Sequence, residues 1–270
     1  INSKLFKPQG ETLIYQGFTL LLRCEMCYIL KMQRKTPFEI DEIYHVYNRG
    51  VEKRILFQNH YEYKRFMALL YVSNSTKQIH LSNDLHNNID EIFQKDREEQ
   101  LIAIGAYCLM PNHFHLLLTP LVDGGISKFM QKLQTGYSMY FNKKHSRVGA
   151  LFQGVFKSKH INKNEYLMHI YSYIHLNPAK LKNTEWKIQP KGFISELKEF
   201  ISEYPYSSLQ EYNSSNYKIL NPKPFPINKK DVCNYSQMID DYTEAFVPPE
   251  NNSKKNKYTK HKYGLALKNP

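Results

Sequence analysis

Cysteine is scarce in this sequence, and its scarcity excludes a secreted fold held together by disulfides. The 270 residues contain only Cys24, Cys27, Cys108 and Cys233. A disulfide framework belongs to short, cysteine-dense chains, so a reducing cytoplasm is the expected location. Cys24 and Cys27 form a CxxC pair, but no second pair follows at zinc-finger spacing. A zinc or redox site at this pair is therefore disfavoured.

Long apolar runs are also missing. The most apolar stretch, GFTLLLRCEMCYIL, is interrupted by Arg23 and Glu25. It is shorter than the roughly 20 apolar residues that span a bilayer. The sequence therefore predicts no membrane anchor and no membrane partner.

Acidic residues are the minority charge. Lysine and arginine number 37 against 25 acidic residues, which gives a formal charge of +12. A strongly basic protein favours an acidic polymer as partner, and 21 tyrosines offer faces on which unpaired bases can stack. Nucleic acid is the leading candidate partner, which predicts association with the bacterial nucleoid.

The hydrophobic pattern predicts an α+β fold of ferredoxin-like type. A strand ends at Gly50, and an amphipathic helix covers about residues 61–72. Two strands, LIAIGAYCLM and HFHLLLTP, are joined by a Pro111-Asn112 turn as a hairpin. A second helix, the strand VFKSKHI and a helix over 163–175 follow, the last ended by Pro178. This β-α-β-β-α-β-α order predicts an antiparallel sheet with helices on one side.

Three segments are predicted from composition. Residues 1–31 form an N-terminal extension, and whether they belong to the native protein is left open because regular patterning begins only after Met32. Residues 38–212 form one domain with an insertion at about 74–100, which has a short helix near IDEIFQK. Residues 213–270 are polar and basic and are predicted to be an extended or disordered tail.

The segment PNHFHLLL places two histidines on one strand. His113 and His115 are two residues apart, so their rings point to the same face, as two ligands of one metal would. Two histidines satisfied inside an apolar strand are the structural alternative, and a third ligand is needed to decide. Several acidic residues could supply that ligand, and so could other histidines: His80, His86, His145, His160, His169 and His175.

The helix before Pro178 carries a second group of functional side chains. His169, Tyr173 and Asn177 recur every four residues, beside an apolar stripe that includes Ile170 and Ile174. A tyrosine hydroxyl with a pKa of about 10 needs a polarised electrophile before it can attack. A two-histidine metal site beside Tyr173 would meet that need.

The segments YHVYNRG, AYCLMPNHFHLLL, LFQGVFKSKHI and YIHLNP together resemble the single-tyrosine HUH transposases, in their REP-associated tyrosine transposase branch. The resemblance covers about residues 44–183. It implies the HUH endonuclease fold, with His113 and His115 as metal ligands, Asn177 as the third ligand and Tyr173 as the catalytic tyrosine. The reaction implied is cleavage and rejoining of single-stranded or hairpin DNA through a 5′-phosphotyrosine intermediate, with Mg²⁺ or Mn²⁺ and no small-molecule cofactor.

Basic side chains are candidate contacts for the DNA backbone. They are Arg49, Lys157, Lys159, Lys143 and Lys144, with Arg147 beside them. Two other functions stay open: a nucleic-acid-binding protein that has lost catalysis, and a metal hydrolase that uses an activated water. The sequence does not decide between a monomer and a homodimer.

Overall fold

The computed structural model describes residues 37–77, 89–189 and 191–244. The predictions for residues 1–31, for the CxxC pair and for the end of the chain lie outside the described residues.

Four antiparallel strands form the sheet: β1 (Ile43–Arg49), β2 (Ile102–Met110), β3 (His113–Pro120) and β4 (Lys157–Ile161). Their spatial order is β2-β3-β1-β4. β2 and β3 are joined by the turn at Pro111 and Asn112, as predicted. β2 begins one residue later than the predicted strand, and β4 begins two residues later, because Val155 and Phe156 lie outside the ladder. The ferredoxin-like sheet predicted from the sequence is confirmed.

Two helices, α1 (His60–Val72) and α3 (Gly125–Lys144), cover one face of the sheet. The short helix α2 (Ile89–Ile92), which the IDEIFQK pattern predicts, lies between them in the chain. Phe114 of β3 points into this layer, with its ring centroid 5.1 Å from that of Phe66 in α1. Tyr137 of α3 contacts the same Phe66 ring at 5.0 Å. These aromatic contacts join the helices to the sheet.

A third helix, α4 (Asn164–His175), covers the opposite face. The prediction that the helices lie on one side of the sheet is correct for α1 and α3. It is wrong for α4, which packs against the face that carries His115. The reason is visible in β2, which is buried at every position and so needs cover on both faces. α4 ends at His175, three residues before Pro178, as predicted.

Within the described ranges, five further helices follow α4. They are α5 (Ala179–Lys182), α6 (Lys191–Glu203), α7 (Leu209–Ser214), α8 (Lys229–Cys233) and α9 (Tyr235–Glu244). Short 3-10 turns occur at Val51–Lys53 and Trp186–Ile188.

The prediction of an extended or disordered tail from residue 213 is wrong for residues 213–244. α8 and α9 are helical, and Ile219, Leu220 and Phe225 are buried. The buried carboxylate of Glu211 accepts hydrogen bonds from the backbone N–H groups of residues 218–220 at 2.7–3.2 Å. This anchor joins segments whose composition alone is typical of a loop, which is why the sequence pattern missed it.

None of the helices in the described ranges combines the length and the apolar character that a bilayer span requires.

Truncating Phe114 is expected to destabilise the fold. The side chain is completely buried against Phe66 and Phe152, so Phe114→Ala leaves a cavity and should lower the free energy of unfolding by about 3–5 kcal/mol. Urea denaturation of the variant and the wild type measures the difference. The exposed Met139 of α3, changed to Ala, is the control and should shift stability by under about 0.5 kcal/mol. A comparable effect at both positions would contradict this account of the core.

Candidate active site

The two histidines of β3 share one face of the sheet. His113 and His115 alternate with Phe114, so their rings lie opposite the layer formed by α1 and α3. Their ring centroids are 5.1 Å apart and their planes are nearly perpendicular. His115 is buried and His113 is partly exposed. The pair therefore has the arrangement that the HxH spacing predicts.

Tyr173 reaches this pair from α4. Its ring meets that of His115 edge-on, with 5.2 Å between the centroids. Burial raises the pKa of the Tyr173 hydroxyl, and the side chain of Asn177 opposes this shift. The hydroxyl is therefore protonated at neutral pH, so a nucleophilic role requires an electron-poor phosphate and removal of the phenol proton.

Asn177 lies in the turn that follows α4. Its side chain is buried, and its Nδ2 donates to the Tyr173 carbonyl at 3.2 Å. Its Oδ1 is buried with no hydrogen-bond partner among the described residues. A buried amide oxygen without a partner carries a desolvation cost, so it is an acceptor that a ligand could satisfy.

His45 is a member of the site that sequence reasoning missed. It lies on β1, is 6% exposed, and its Nε2 is 2.9 Å from Nδ1 of His115. Its ring centroid is 5.9 Å from that of Tyr173. Spacing along the chain gives no sign of this contact, because the two histidines are 70 residues apart. The one sign of a role for His45 in the sequence was its place in YHVYNRG, one of the segments that carry the family resemblance.

Burial keeps the imidazoles neutral. It lowers the pKa of His113 to about 4, with the positive charges of Lys180 and Arg49 acting in the same direction and Asn177 opposing them. It also lowers the pKa of His115 well below its ordinary value, with smaller effects from the neighbouring histidines and Lys180. Neutral imidazoles are the form that binds metal ions.

The residues present fit a divalent metal ion. Nδ1 of His113 is 2.6 Å from Oδ1 of Asn112, an oxygen that can only accept, so the Nε2 lone pair of His113 is available. One nitrogen of His115 and the unpartnered Asn177 Oδ1 complete a set of two imidazoles and an amide. Among the described residues, no group of three or more His, Cys, Asp or Glu side chains is arranged to hold a metal. The fit therefore depends on the amide.

Lys180 is a second site residue that the sequence reasoning missed. It lies in α5, and its Nζ is 5.1 Å from the centroid of the Tyr173 ring. Burial lowers its pKa, and its charge reaches both His113 and His115, whose pKa values it lowers. Its position one helical turn after Asn177 was the only signal in the sequence.

Three of the predicted DNA contacts lie on the histidine face. In the strand register Arg49 is opposite His113, while Lys157 and Lys159 are opposite Tyr47 and His45. Directly paired residues point to the same face of a sheet, so these cations border the site. The two lysines are exposed on the edge strand β4, where an extended ligand has access.

The structure does not bring the other predicted cations to that face. Lys143 and Lys144 end α3, in the opposite layer, and Lys144 forms an ion pair with the buried Glu62 at 2.9 Å. Arg147 is held by Asn142 at 2.5 Å and by the Ala150 carbonyl at 3.3 Å. Lys144 and Arg147 are therefore engaged within the protein.

The alternative third ligands are engaged in other contacts. Nε2 of His145 contacts Glu62, that of His160 contacts Glu42, and that of the buried His175 contacts Ser208. His169 lies on α4 near Lys187 and Lys159, whose charges add to burial in lowering its pKa. His80 and His86 lie outside the described residues. Asn177 stays the predicted third ligand.

The buried histidines predict that acid destabilises the fold. Burial lowers the pKa of His45 to about 4, with Lys159 contributing, and that of His175 to about 3. An unfolded histidine titrates near 6.5, so between pH 6.5 and 4 the unfolded chain binds protons that the folded chain excludes. The contribution of these histidines to the free energy of unfolding is fully present above pH 6.5. Below that pH the free energy of unfolding should fall by about 1.4 kcal/mol per pH unit for each such histidine.

Urea unfolding in EDTA at pH 7, 6 and 5 measures this slope. His45→Phe should reduce this slope by about one proton, while replacement of the exposed His60 by Phe should leave the slope nearly unchanged. Equal stability at pH 7 and pH 5 would contradict the prediction.

Comparison with known proteins finds a family match over the middle of the chain. Residues 62–177 match the model of the family described as "Transposase IS200 like". No curated protein matches the chain. A solved structure described as "Structure of the REP associates tyrosine transposase bound to a REP hairpin" is similar at 15% identity, covering 73% of this chain and 92% of that chain with a TM-score of 0.42. The family match confirms the resemblance to a transposase over these residues. Residues 62–177, from α1 to Asn177, carry the sequence signature of the IS200-like transposase family.

Proposed function

We propose that this protein cuts and rejoins DNA strands, with the Tyr173 hydroxyl as nucleophile and single-stranded or hairpin DNA as substrate. The observation that carries the proposal is the contact between the Tyr173 ring and His115, with the unpartnered oxygen of Asn177 one helical turn away. The family match supports DNA transposition chemistry in general.

The proposed step is a transesterification. The Tyr173 oxygen attacks the phosphorus and forms a tyrosine–phosphate bond to the 5′ side. The bond between phosphorus and the 3′ oxygen breaks, the phenol proton is released, and the leaving oxygen takes up a proton as a 3′-hydroxyl. The reverse attack by a 3′-hydroxyl restores the phosphodiester and the tyrosine. Because one phosphate ester replaces another, the step needs no ATP.

His113, His115 and Asn177 would hold a divalent ion such as Mg²⁺ or Mn²⁺. Such an ion would supply Lewis-acid polarisation of the scissile phosphate. The three side chains are neutral donors, so they would not offset the ion's charge. The burial of His115 and Asn177 also excludes much of the water that would otherwise compete for the phosphate.

Fixed positive charge around the tyrosine suits a phosphate. Lys180 lies over the Tyr173 ring, and Arg49 lies opposite His113 in the strand register. Cations placed where phosphate charge develops stabilise a phosphoryl-transfer transition state. Lys157 and Lys159 would contact the backbone of the flanking strand along the exposed edge of β4.

Replacing Tyr173 tests the nucleophile. Tyr173→Phe removes only the hydroxyl, so the covalent protein–DNA adduct and strand cleavage should both fall below detection, while binding should remain within about threefold of the wild type. A labelled single-stranded or hairpin oligonucleotide with Mn²⁺, resolved on a denaturing gel, measures adduct and cleavage. Tyr61→Phe, at an exposed tyrosine on α1, is the matched control and should behave as the wild type.

The outcomes separate the competing functions. Cleavage that persists in Tyr173→Phe without an adduct would identify a hydrolase that uses water. A wild-type protein that binds the DNA but neither cleaves it nor forms an adduct would identify a binding protein. Either result would contradict the proposal.

Lys180 is expected to act on the chemical step. Lys180→Met keeps the aliphatic stem but removes the charge over the Tyr173 ring, so the single-turnover rate of cleavage should fall on the order of 10²-fold. Lys182→Met is the matched control, because Lys182 lies two residues further and its Nζ contacts Phe200 instead, at 4.9 Å. Equal rates for the two variants would show that Lys180 adds only general positive charge.

A further inference from the structure

The histidine pair across β1 and β3 has a geometry that the proposed reaction does not by itself explain. Nε2 of His45 lies 2.9 Å from Nδ1 of His115, within hydrogen-bond distance. Both rings are buried and nearly parallel, with 26° between their planes and 5.1 Å between their centroids. Two neutral imidazoles at this distance share one hydrogen, which either ring can donate.

His45 contacts His115 on the nitrogen that faces β1, so the other nitrogen of His115 is left for a ligand. A histidine that binds a metal almost always donates its other ring N–H to a fixed acceptor, which sets its tautomer and orientation. His113 follows this pattern, because its Nδ1 is bonded to the amide oxygen of Asn112. If His45 instead donated its hydrogen, His115 would carry a proton on Nε2 and could not ligate through either nitrogen.

We propose that His45 is a positioning residue for His115: its Nε2 accepts the Nδ1–H of His115 and leaves the Nε2 lone pair of His115 free for a divalent cation. This inference rests on the proposed function, since it assumes that His113, His115 and Asn177 hold the cation. His45 itself is an outer partner and not a ligand, because its Nε2 is already used by His115. The burial of both rings favours the arrangement, since little water reaches the shared hydrogen to replace it.

The backbone holds His45 in place for this role. His45 lies in the middle of β1, paired with Leu117 of β3 on one side and Lys159 of β4 on the other. Its strand is hydrogen-bonded on both edges, so the ring is carried by one of the two central strands of the sheet. A ligand supported from a rigid element holds its geometry better than one supported from a loop.

The tautomer can be measured without metal or DNA. Long-range ¹⁵N–¹H correlation spectra of the metal-free full-length protein should show His115 with its proton on Nδ1 and His45 with its proton on the same atom type, Nδ1. Signals are assigned from the spectra of His115→Gln and His45→Gln. A proton on Nε2 of His115 would overturn the proposal, whatever the protein does to DNA.

Metal binding tests the consequence. Isothermal titration with Mn²⁺ should show affinity reduced about 10- to 100-fold in His45→Leu, which removes the acceptor. His45→Gln, whose side-chain oxygen can accept the same hydrogen bond, should restore most of the affinity. His160→Leu is the matched control, since His160 lies on β4 on the opposite face and contacts Glu42. A role in folding alone would not distinguish Gln from Leu at equal thermal stability.

Two results separate this inference from the proposed function. If wild-type protein forms the Tyr173 adduct and His45→Leu binds Mn²⁺ as tightly as the wild type, the positioning role is wrong while the proposed function stands. If the wild type binds Mn²⁺ with His115 protonated on Nδ1 but forms no adduct on DNA, the positioning role stands and the proposed function fails. A wild type that binds no Mn²⁺ overturns the positioning role.

Discussion

Side-chain alternation along β3 is the constraint on which the core and the candidate site both depend. Phe114 points into the layer of α1 and α3, while His113 and His115 point to the face covered by α4. A register shift of one residue would place two imidazoles in an aromatic core and a phenyl ring against Tyr173. The burial of Phe114 therefore fixes the position of the histidines. The hydrophobic free energy of the core therefore sets the strand register on which the site depends.

The site combines neutral groups in its interior with positive charge at its border. His45 and His115 are buried, and burial holds both in the uncharged form, while Lys180 lies over the tyrosine ring and Lys159 on the edge strand. A cation among the ligands would compete with a metal ion, whereas the same charge at the border attracts a phosphate. The separation comes from depth in the fold, because imidazoles tolerate burial as neutral groups and an exposed lysine such as Lys159 keeps its charge at low cost.

Features that repeat within one element could be predicted from the sequence, whereas a contact between distant elements could be predicted only where the family resemblance implied it, as for Tyr173 beside His115. The strand and helix order follows from periodicity, and the facing of His113, His115 and Phe114 follows from alternation within β3. His45 was missed because its contact with His115 depends on strand pairing, which no local pattern encodes. The ordered segment at residues 218–220 was missed for the same reason, since its anchor is the carboxylate of Glu211.

The helix α4 both stabilises the core and positions the candidate nucleophile. Its buried stripe, with Ile170 and Ile174, packs against the sheet, and the neighbouring stripe carries Tyr173. Asn177 lies one turn further, at the point where Pro178 ends the helix and the next turn begins. The packing of this buried stripe against the sheet therefore sets the distance between Tyr173 and the histidines of β3. Because packed interiors resist small displacements, the tyrosine is held against the histidines by the same contacts that stabilise the fold.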